Sequence, residues 1–347
     1  MTADRSESLL PSPTHQDIAR LAGTSQATVS LVLNHRRGAI RISEKTRLAV
    51  LAAARQLGYT PNLGARRLRQ GAQAARPELI LALLRPAGSP LGLVVRVLEA
   101  ATTALAEMPL ASQLVIEDYP AGRLAQQPGL LEASRYHGAI ITSPTPEDEA
   151  FLETTELLVP VVAFQRQLAH HASVDVDNVR GGLAATRHLL ASGRRCVAAV
   201  GWSSLPSRAV QRRLDGYRQA LVEAGLGGQE QVVWAPTLSE AGGATATARL
   251  LATAHPDAIF ALSDVLALGV LHAVHRAGLR VPKDIAVIGY DDLPFAPFLD
   301  PPLTTIRLPY EAMGRDAVRW LADAVRGRAD ALLHHVYEPE LIVRDSA

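Results

Sequence analysis

The sequence predicts an all-α helix-turn-helix head joined to an α/β body, and three observations carry that prediction. Short capped segments with apolar residues at helical spacing fill the first sixty positions. From Leu79 onward, apolar runs of four to seven residues alternate with helical stretches, and the charge divides between the two parts. Residues 1–76 hold twelve arginine and lysine side chains against four acids, a net of +8; the remaining 271 carry 23 basic and 30 acidic groups, a net of −7. The overall charge of +1 argues by itself against a nucleic-acid partner, but it is the sum of a basic head and an acidic body. That asymmetry points to a polyanion at one end only.

A chain of 347 residues that is 48% hydrophobic can bury a core in each of two or three domains. The opening MTADRSESLLPSPT lacks the apolar stretch of a signal peptide, and no apolar run approaches the roughly 18 residues of a membrane span. A cytoplasmic chain without a membrane partner is expected. A lone Cys196 excludes an internal disulfide framework and a Cys-rich zinc site, and reads as an inert residue of a core strand.

Residues 1–13 read as a disordered tail. Thr14-His-Gln-Asp17 has the form of a capping box, in which the hydroxyl accepts the Asp17 N–H while the carboxylate reaches back. Ile18, Ala19, Leu21 and Ala22 supply an apolar face, and Gly23 supplies a left-handed stop. Ser25 caps a second helix from Gln26 to about Asn34, in which Val29, Val32 and Leu33 face inward and Gln26, Ala27, Ser30 and Leu31 face outward. Helix, glycine turn and helix make a helix-turn-helix. A third helix is expected from Ser43 to Leu57, capped by Ser43, with Glu44 at the positive end of its dipole and Val50, Leu51, Ala54 and Leu57 on one face; Gly58 stops it. The bland alternative is a small bundle with a solvated basic surface. The outward row of the second helix is short and polar enough for a major groove about 12 Å wide.

The strings THQDIARLAGTSQATVSLVLN, ISEKTR and LGYTPNLGARRLR, in that order, resemble the DNA-binding head of the LacI/GalR family of bacterial transcriptional regulators. The resemblance implies that Gln26, Ala27, Thr28, Ser30 and Leu31 read bases, and that Thr14, Ser25, Asn34, Thr46 and Tyr59 meet phosphates. Leu31 departs from the arginine that members often carry there to grip guanine, and offers only apolar contact, for example to a thymine methyl. Arg36 and Arg37 lie in the loop before the third helix. Residues 14–60 form the helix-turn-helix domain in this reading, and 61–77 a hinge helix and linker. The hinge, Pro61 to Gly71, has room for about two turns, and isolated helices below roughly 12–15 residues are marginal in water. Its folding must be coupled to something else. The resemblance implies that two hinges of a dimer fold together on the minor groove, with Asn62, Ala65 and Arg66 at the DNA and Leu68 wedged between central base pairs. The alternative is a basic linker with an incidental leucine.

In the body, residues 78–347, strands are predicted at Leu79–Leu84, Leu114–Ile116, Ala139–Thr142, Val159–Phe164, Val197–Gly201, Val232–Trp234, Ala258–Leu262, Ile285–Tyr290 and, near the end, Glu340–Arg344. Helices are predicted at Leu93–Ala106, Gly181–Ala191, Ala209–Ala224, Gly243–Ala252 and Val265–Ala277. This alternation implies βαβ units in one large parallel sheet or two smaller ones. VDNVRGG, RRLDGY, FALSD, RVPKDIAVIGYDD, PPLTTI and MGRDAV resemble the family's effector core, which implies two Rossmann-like lobes of the periplasmic-binding-protein kind. The lobes are expected at roughly 78–165 plus 293–328 and 166–292 plus 329–347.

Ligands of doubly wound sheets sit beyond the carboxyl ends of the strands. Gln165 and Arg166, Ser263 and Asp264, and Asp291 and Asp292 all follow predicted strands; for each acid the alternative is capping or a turn. Carboxylates accept bonds from vicinal hydroxyls, and Arg213 can return a guanidinium fork, a pairing suited to a sugar or related polyol. Arg213 and Asp291 match the family's effector positions. Ser89 and Leu91 stand in the loop after the first strand, where many members carry an aromatic residue, so a nucleoside-like ligand stays open beside a sugar-like one. No dinucleotide, P-loop or nucleophile-elbow string occurs, and His272 with His275 lacks a third metal ligand. No cofactor, metal or catalytic residue is expected. The expectation is a homodimeric repressor of operator DNA controlled by a small effector; the rival is a soluble sugar-binding protein with no DNA role.

Overall fold

The computed structural model describes residues 14–33, 42–57, 79–88, 91–132, 135–203 and 208–347. The expected tail, the hinge and linker, Arg36 and Arg37, and the site candidates Asn34, Tyr59, Asn62, Ala65, Arg66, Leu68 and Ser89 lie outside the described residues.

Three helices form the head: α1 (His15–Ala22), α2 (Gln26–Leu33) and α3 (Glu44–Gln56). Each begins where a hydroxyl serves a backbone donor. Thr14 and Asp17 form the capping box in both directions, Ser25 Oγ accepts the Thr28 N–H at 3.1 Å, and Ser43 Oγ accepts the Thr46 N–H at 3.2 Å. Gly23 closes α1 at φ 63°, a conformation that only glycine adopts without cost. Ile18, Val29, Val32, Leu33, Val50 and Ala54 build the small core as the periodicity predicts, joined by Ala53. Leu21 is the exception: it lies on the flank of α1, 46% exposed, because Ile18 and Ala22 already fill the contact face.

The body has two parallel sheets. The first contains β1 (Leu79–Pro86), β2 (Ser112–Tyr119), β3 (Gly138–Thr142), β4 (Val161–Phe164), β5 (Ala172–Val176) and β11 (His334–Tyr337), in the order β11-β5-β4-β3-β1-β2. The second contains β6 (Val197–Trp202), β7 (Gln231–Ala235), β8 (Ala258–Ala261) and β9 (Ala286–Ile288), in the order β7-β6-β8-β9. An antiparallel pair, β10 (Thr305–Arg307) and β12 (Glu340–Ile342), completes the described strands. Central strands such as β1, β3 and β8 are buried along their length, which is why they read as unbroken apolar runs.

The sheet memberships move the lobe boundaries drawn from sequence. β5 and β11 both belong to the first sheet, pairing through Ser173 with His334 and Val176 with Tyr337, so that lobe extends to about residue 176 and takes back 334–337. Neither strand was predicted. In β5 the buried Ser173 and Asp175 interrupt the apolar signal, and in β11 the first three residues are exposed. A helix over Tyr310–Val325 also escaped prediction and packs on the first lobe against the helix Leu91–Ala106, with Gly314 so close to Ala100 that an added Cβ would lie 2.4 Å from that methyl. Cys196 precedes β6 instead of lying in it, and is half-buried. Among the described residues, no helix is long and apolar enough to cross a membrane.

Candidate functional site

Two places in the described chain gather the predicted site residues. On the head, Gln26 and Ala27 are exposed and Thr28, Ser30 and Leu31 half-exposed, while the intervening Val29 and Val32 are buried. The outward row of α2 is thus held by its own buried row. Thr14, Ser25 and Thr46 share a position: each stands at or in the first turn of one of the three helices, Thr14 and Ser25 as the caps that the sequence predicts. Their hydroxyls are engaged locally, Thr14 Oγ1 with Asp17 Oδ2 at 2.6 Å, Ser25 Oγ with Thr28 Oγ1 at 2.9 Å and Thr46 Oγ1 with Ser43 Oγ at 2.8 Å. Helix starts present free N–H groups and positive dipole ends, the arrangement that suits phosphate.

The second place lies between the carboxyl ends of the two sheets. Arg213 projects from the helix Arg208–Glu223 and is 4% exposed. Its Nε donates to Asn178 Oδ1 at 3.1 Å, Nη1 to the Leu262 carbonyl at 2.5 Å and Nη2 to Asp291 Oδ1 at 3.3 Å, with the guanidinium carbon 3.7 Å from the centre of the Tyr290 ring. The helix is held in place by close approach: a Cβ on Gly182 would lie 2.0 Å from the Arg213 carbonyl oxygen, so only glycine permits this crossing with the helix Asn178–Ala191. The VDNVRGG and RRLDGY strings therefore place one side chain together.

Ser263 donates from Oγ to Asp291 Oδ2 at 3.0 Å and caps the helix Asp264–Arg276. Asp291 is thus served on both oxygens. Burial pushes its carboxyl above the usual range, and Arg213 followed by the Ser263 hydrogen bond acts in the opposite direction. Gln165, from the end of β4, donates from Nε2 to the Tyr310 hydroxyl at 3.3 Å, and Tyr310 stacks on Phe164 at 6.3 Å. Among the described residues, the non-glycine positions with positive φ are Ser143, Gln165, Asp291 and Asp292, all just beyond strand ends on this side. Backbone strain of this kind is tolerated where the surroundings over-determine it, and it concentrates at ligand sites.

Other candidates separate from the cleft. Asp264 is fully enclosed: Oδ2 accepts the Leu293 N–H at 2.7 Å and Oδ1 the Thr305 hydroxyl at 2.6 Å. Burial, then the charge of Asp291, drives its carboxyl well above the ordinary value. It braces the 291–293 turn. Asp292 clasps Arg307 and Arg344, each at 2.7 Å, and so ties the same turn to β10 and the chain end. Arg166 pairs with buried Glu149 at 2.8 Å, and Arg208 of the second lobe reaches that carboxylate at 3.1 Å. Leu91 opens the helix Leu91–Ala106. Sequence reasoning missed Asn178, Tyr290 and Tyr310. Asn178 and Tyr310 follow strand ends, a signal that the unpredicted strands β5 and β10 concealed.

Comparison with known proteins places these features in context. Residues 14–62 match the family described as bacterial regulatory proteins, lacI family, and residues 186–347 match the periplasmic binding protein-like domain. The HTH-type transcriptional regulator CelR of Thermobifida fusca is 33% identical over 350 residues, covering 96% of this chain and 98% of the relative. The ribose operon repressor of Escherichia coli (strain K12) is 31% identical over 332 residues, covering 94% of each. Among solved structures, the CelR–cellobiose complex aligns with a TM-score of 0.68 at 30% identity, covering 96% of this chain and all of that one. The lac repressor dimer bound to operator and the anti-inducer ONPF aligns with a TM-score of 0.65 at 26% identity, covering 96% and 98%.

Proposed function

The chain belongs to the lacI family of bacterial regulatory proteins and is a DNA-binding transcriptional regulator, and from that premise we propose how its parts divide the work. Residues 14–60 bind operator DNA, 61–77 couple the head to the body, and 78–347 bind an effector and dimerise. The outward residues Gln26, Ala27, Thr28, Ser30 and Leu31 read the major groove, and the helix starts at Thr14, Ser25 and Thr46 meet phosphates together with Asn34 and Tyr59. Asn62, Ala65, Arg66 and Leu68 act in the minor groove. One helix-turn-helix reads a half-site, so two copies of the chain engage a pseudo-palindromic operator in the cytoplasm. The protein represses transcription and catalyses no reaction.

The effector is a sugar or related metabolite held between the lobes by Arg213, Asp291, Ser263 and Gln165, with Ser89 and Leu91 at the loop after β1. The observation that carries this reading is the Arg213–Asp291–Ser263 constellation at the carboxyl ends of the second sheet. A paired carboxylate and guanidinium accept from and donate to neighbouring hydroxyls at once. The cellobiose bound to CelR and the ribose bound to the Enterococcus faecium regulator support a carbohydrate. Asp264 serves as a brace for the turn that carries Asp291. Binding in the cleft biases lobe closure and so the hinge, a coupling typically worth about 1–3 kcal/mol.

The test is a gel shift of the full chain on the DNA upstream of its own coding region, with and without sugars and nucleosides that raise its melting temperature. Asp291→Ala is expected to keep operator binding and lose the response. An unchanged response removes Asp291 from the site, and failure to shift any upstream DNA favours a binding protein without a DNA role.

A further inference from the structure

Three arginines near the start of one helix do two jobs. On Arg208–Glu223, Arg213 turns into its own lobe to hold Asp291, whereas Arg208 and Arg212, one turn apart, reach across to the first lobe. Arg208 Nε lies 3.1 Å from Glu149 Oε2, and Arg212 Nη1 lies 3.6 Å from Asp175 Oδ2. Glu149 stands in the first turn of the helix Pro146–Thr154 and Asp175 in β5, so both ion pairs join the two lobes. The carboxylates are enclosed, their side chains 8% and 7% exposed, while the guanidinium groups stand at the edge, 71% and 39% exposed. Among the described residues, the cation that the first lobe itself supplies to these acids is Arg166, which bonds Glu149 at 2.8 Å and acts on Asp175 through its charge. Burial raises the Asp175 carboxyl; the Val176 N–H, Arg212 and Arg166 oppose that rise, and the charge of Asp177 adds to it.

We propose that Arg208 and Arg212 latch onto Glu149 and Asp175 and hold the two lobes together, so that these four side chains set the resting closure of the cleft and ionic strength tunes it. Two enclosed carboxylates against one first-lobe guanidinium leave a negative charge uncompensated where water is excluded, and an unmatched buried charge is costly. The second lobe supplies the missing positive charge only while the lobes are together. When they part, the acids regain water, and the arginines, already at the edge, lose little. That edge position also lets mobile ions reach the guanidinium groups, so the latch weakens with salt. Pairs with one exposed partner are individually modest, and loss of each should shift the ratio of closed to open lobes roughly two- to fivefold. The apparent affinity for any cleft ligand scales with the closed fraction, so the latch acts on the effector response without touching the effector. The proposal goes beyond the effector reading and holds for no particular ligand.

The test measures lobe separation in the full-length protein by double electron–electron resonance, with no ligand added. Spin labels are placed through Thr154→Cys and Gln219→Cys in a Cys196→Ser background; both positions are exposed, one on each lobe, at or toward the far ends of the helices that carry the latch. Labelled chain is diluted into unlabelled chain so that each assembly holds one labelled copy. Arg208→Gln with Arg212→Gln should add a longer-distance population, and Arg208→Glu with Arg212→Glu, which sets like charges opposite the enclosed acids, should enlarge it. Raising salt from about 50 to about 500 mM should move the parent in the same direction and the glutamine variant less. Arg218→Gln serves as the control: it lies on the same helix but pairs with Asp215 and Glu230 of its own lobe, and it should leave the distances unchanged. A distance distribution that neither double variant alters overturns the latch. A shift that Arg218→Gln reproduces, or that appears equally in parent and glutamine variant as salt rises, shows a general loosening of the helix and overturns it as well.

Discussion

In the head, the outward row of α2 (Gln26, Ala27, Thr28, Ser30 and Leu31) stands exposed or half-exposed over an eight-residue core and can change without disturbing it, whereas Thr14 and Ser25 also cap their helices. In the cleft the assigned side chains are themselves structure: Arg213 holds Asn178, the Leu262 carbonyl and Asp291, and Asp291 is held by Ser263. The difference teaches that a head can be retuned to a new operator by surface substitution, whereas a cleft can be retuned only by changes that also answer for stability. The head and the cleft should therefore respond in opposite ways to mutation.

The largest break in that comparison is Arg213→Ala. Removing one partner of a nearly buried ion pair leaves the other uncompensated, at a cost of about 3 kcal/mol. Urea unfolding of the full chain should show that loss together with loss of the effector response. The pH dependence supplies a second reading. Burial already raises the Asp291 carboxyl, and Arg213 opposes it, so the variant raises it further. A carboxyl raised in the folded state destabilises above its unfolded value, so the variant should lose stability from about pH 4 upward, more steeply than the parent. A variant as stable as the parent, with a flat profile, would show that the pair is incidental.

Leu31→Arg probes the other side. The residue is half-exposed on α2, so stability should move by no more than about 0.5 kcal/mol. Operator preference should move further, toward guanine at the contacted position, by roughly 1–3 kcal/mol in a binding selection over randomised half-sites. Unchanged preference with lowered stability would erase the contrast between the two regions.

Much of the head was legible because its signals are local. A hydroxyl three residues before an acid, a glycine stop and apolar residues at three-and-four spacing specify Thr14, Gly23 and the Val29–Val32–Leu33 row with no knowledge of the rest of the chain. The body was legible where strands are fully apolar and illegible where polar side chains are buried within them. Asp175 in β5 is the example: it is buried, its carboxyl is raised chiefly by burial, with the Val176 N–H that it accepts and Arg212 acting the other way, and it breaks the run that would have announced a strand. Asp264 and Asp291 carry the same sequence signal, an acid just after a strand; their roles diverge because one is enclosed by Thr305 and Leu293 and the other faces Arg213.

The smallest expected effect sharpens the comparison at the head's own foundation. The Thr14 hydroxyl and backbone bonds hold the Asp17 carboxyl below its usual value. A carboxyl lowered in the folded state contributes stability above its unfolded value and loses it as pH falls through the folded one, so α1 should loosen only below about pH 4. That window lies opposite in direction to the one set by Asp291, where deprotonation is the unfavourable step. Thr14→Val removes the side-chain half of the box and should flatten the acid limb for peptides of residues 14–33 in hydrogen exchange on the full chain, with exchange in the body unchanged. If acid loosens the variant's α1 as steeply as the parent's, the capping box is not what couples the head to pH.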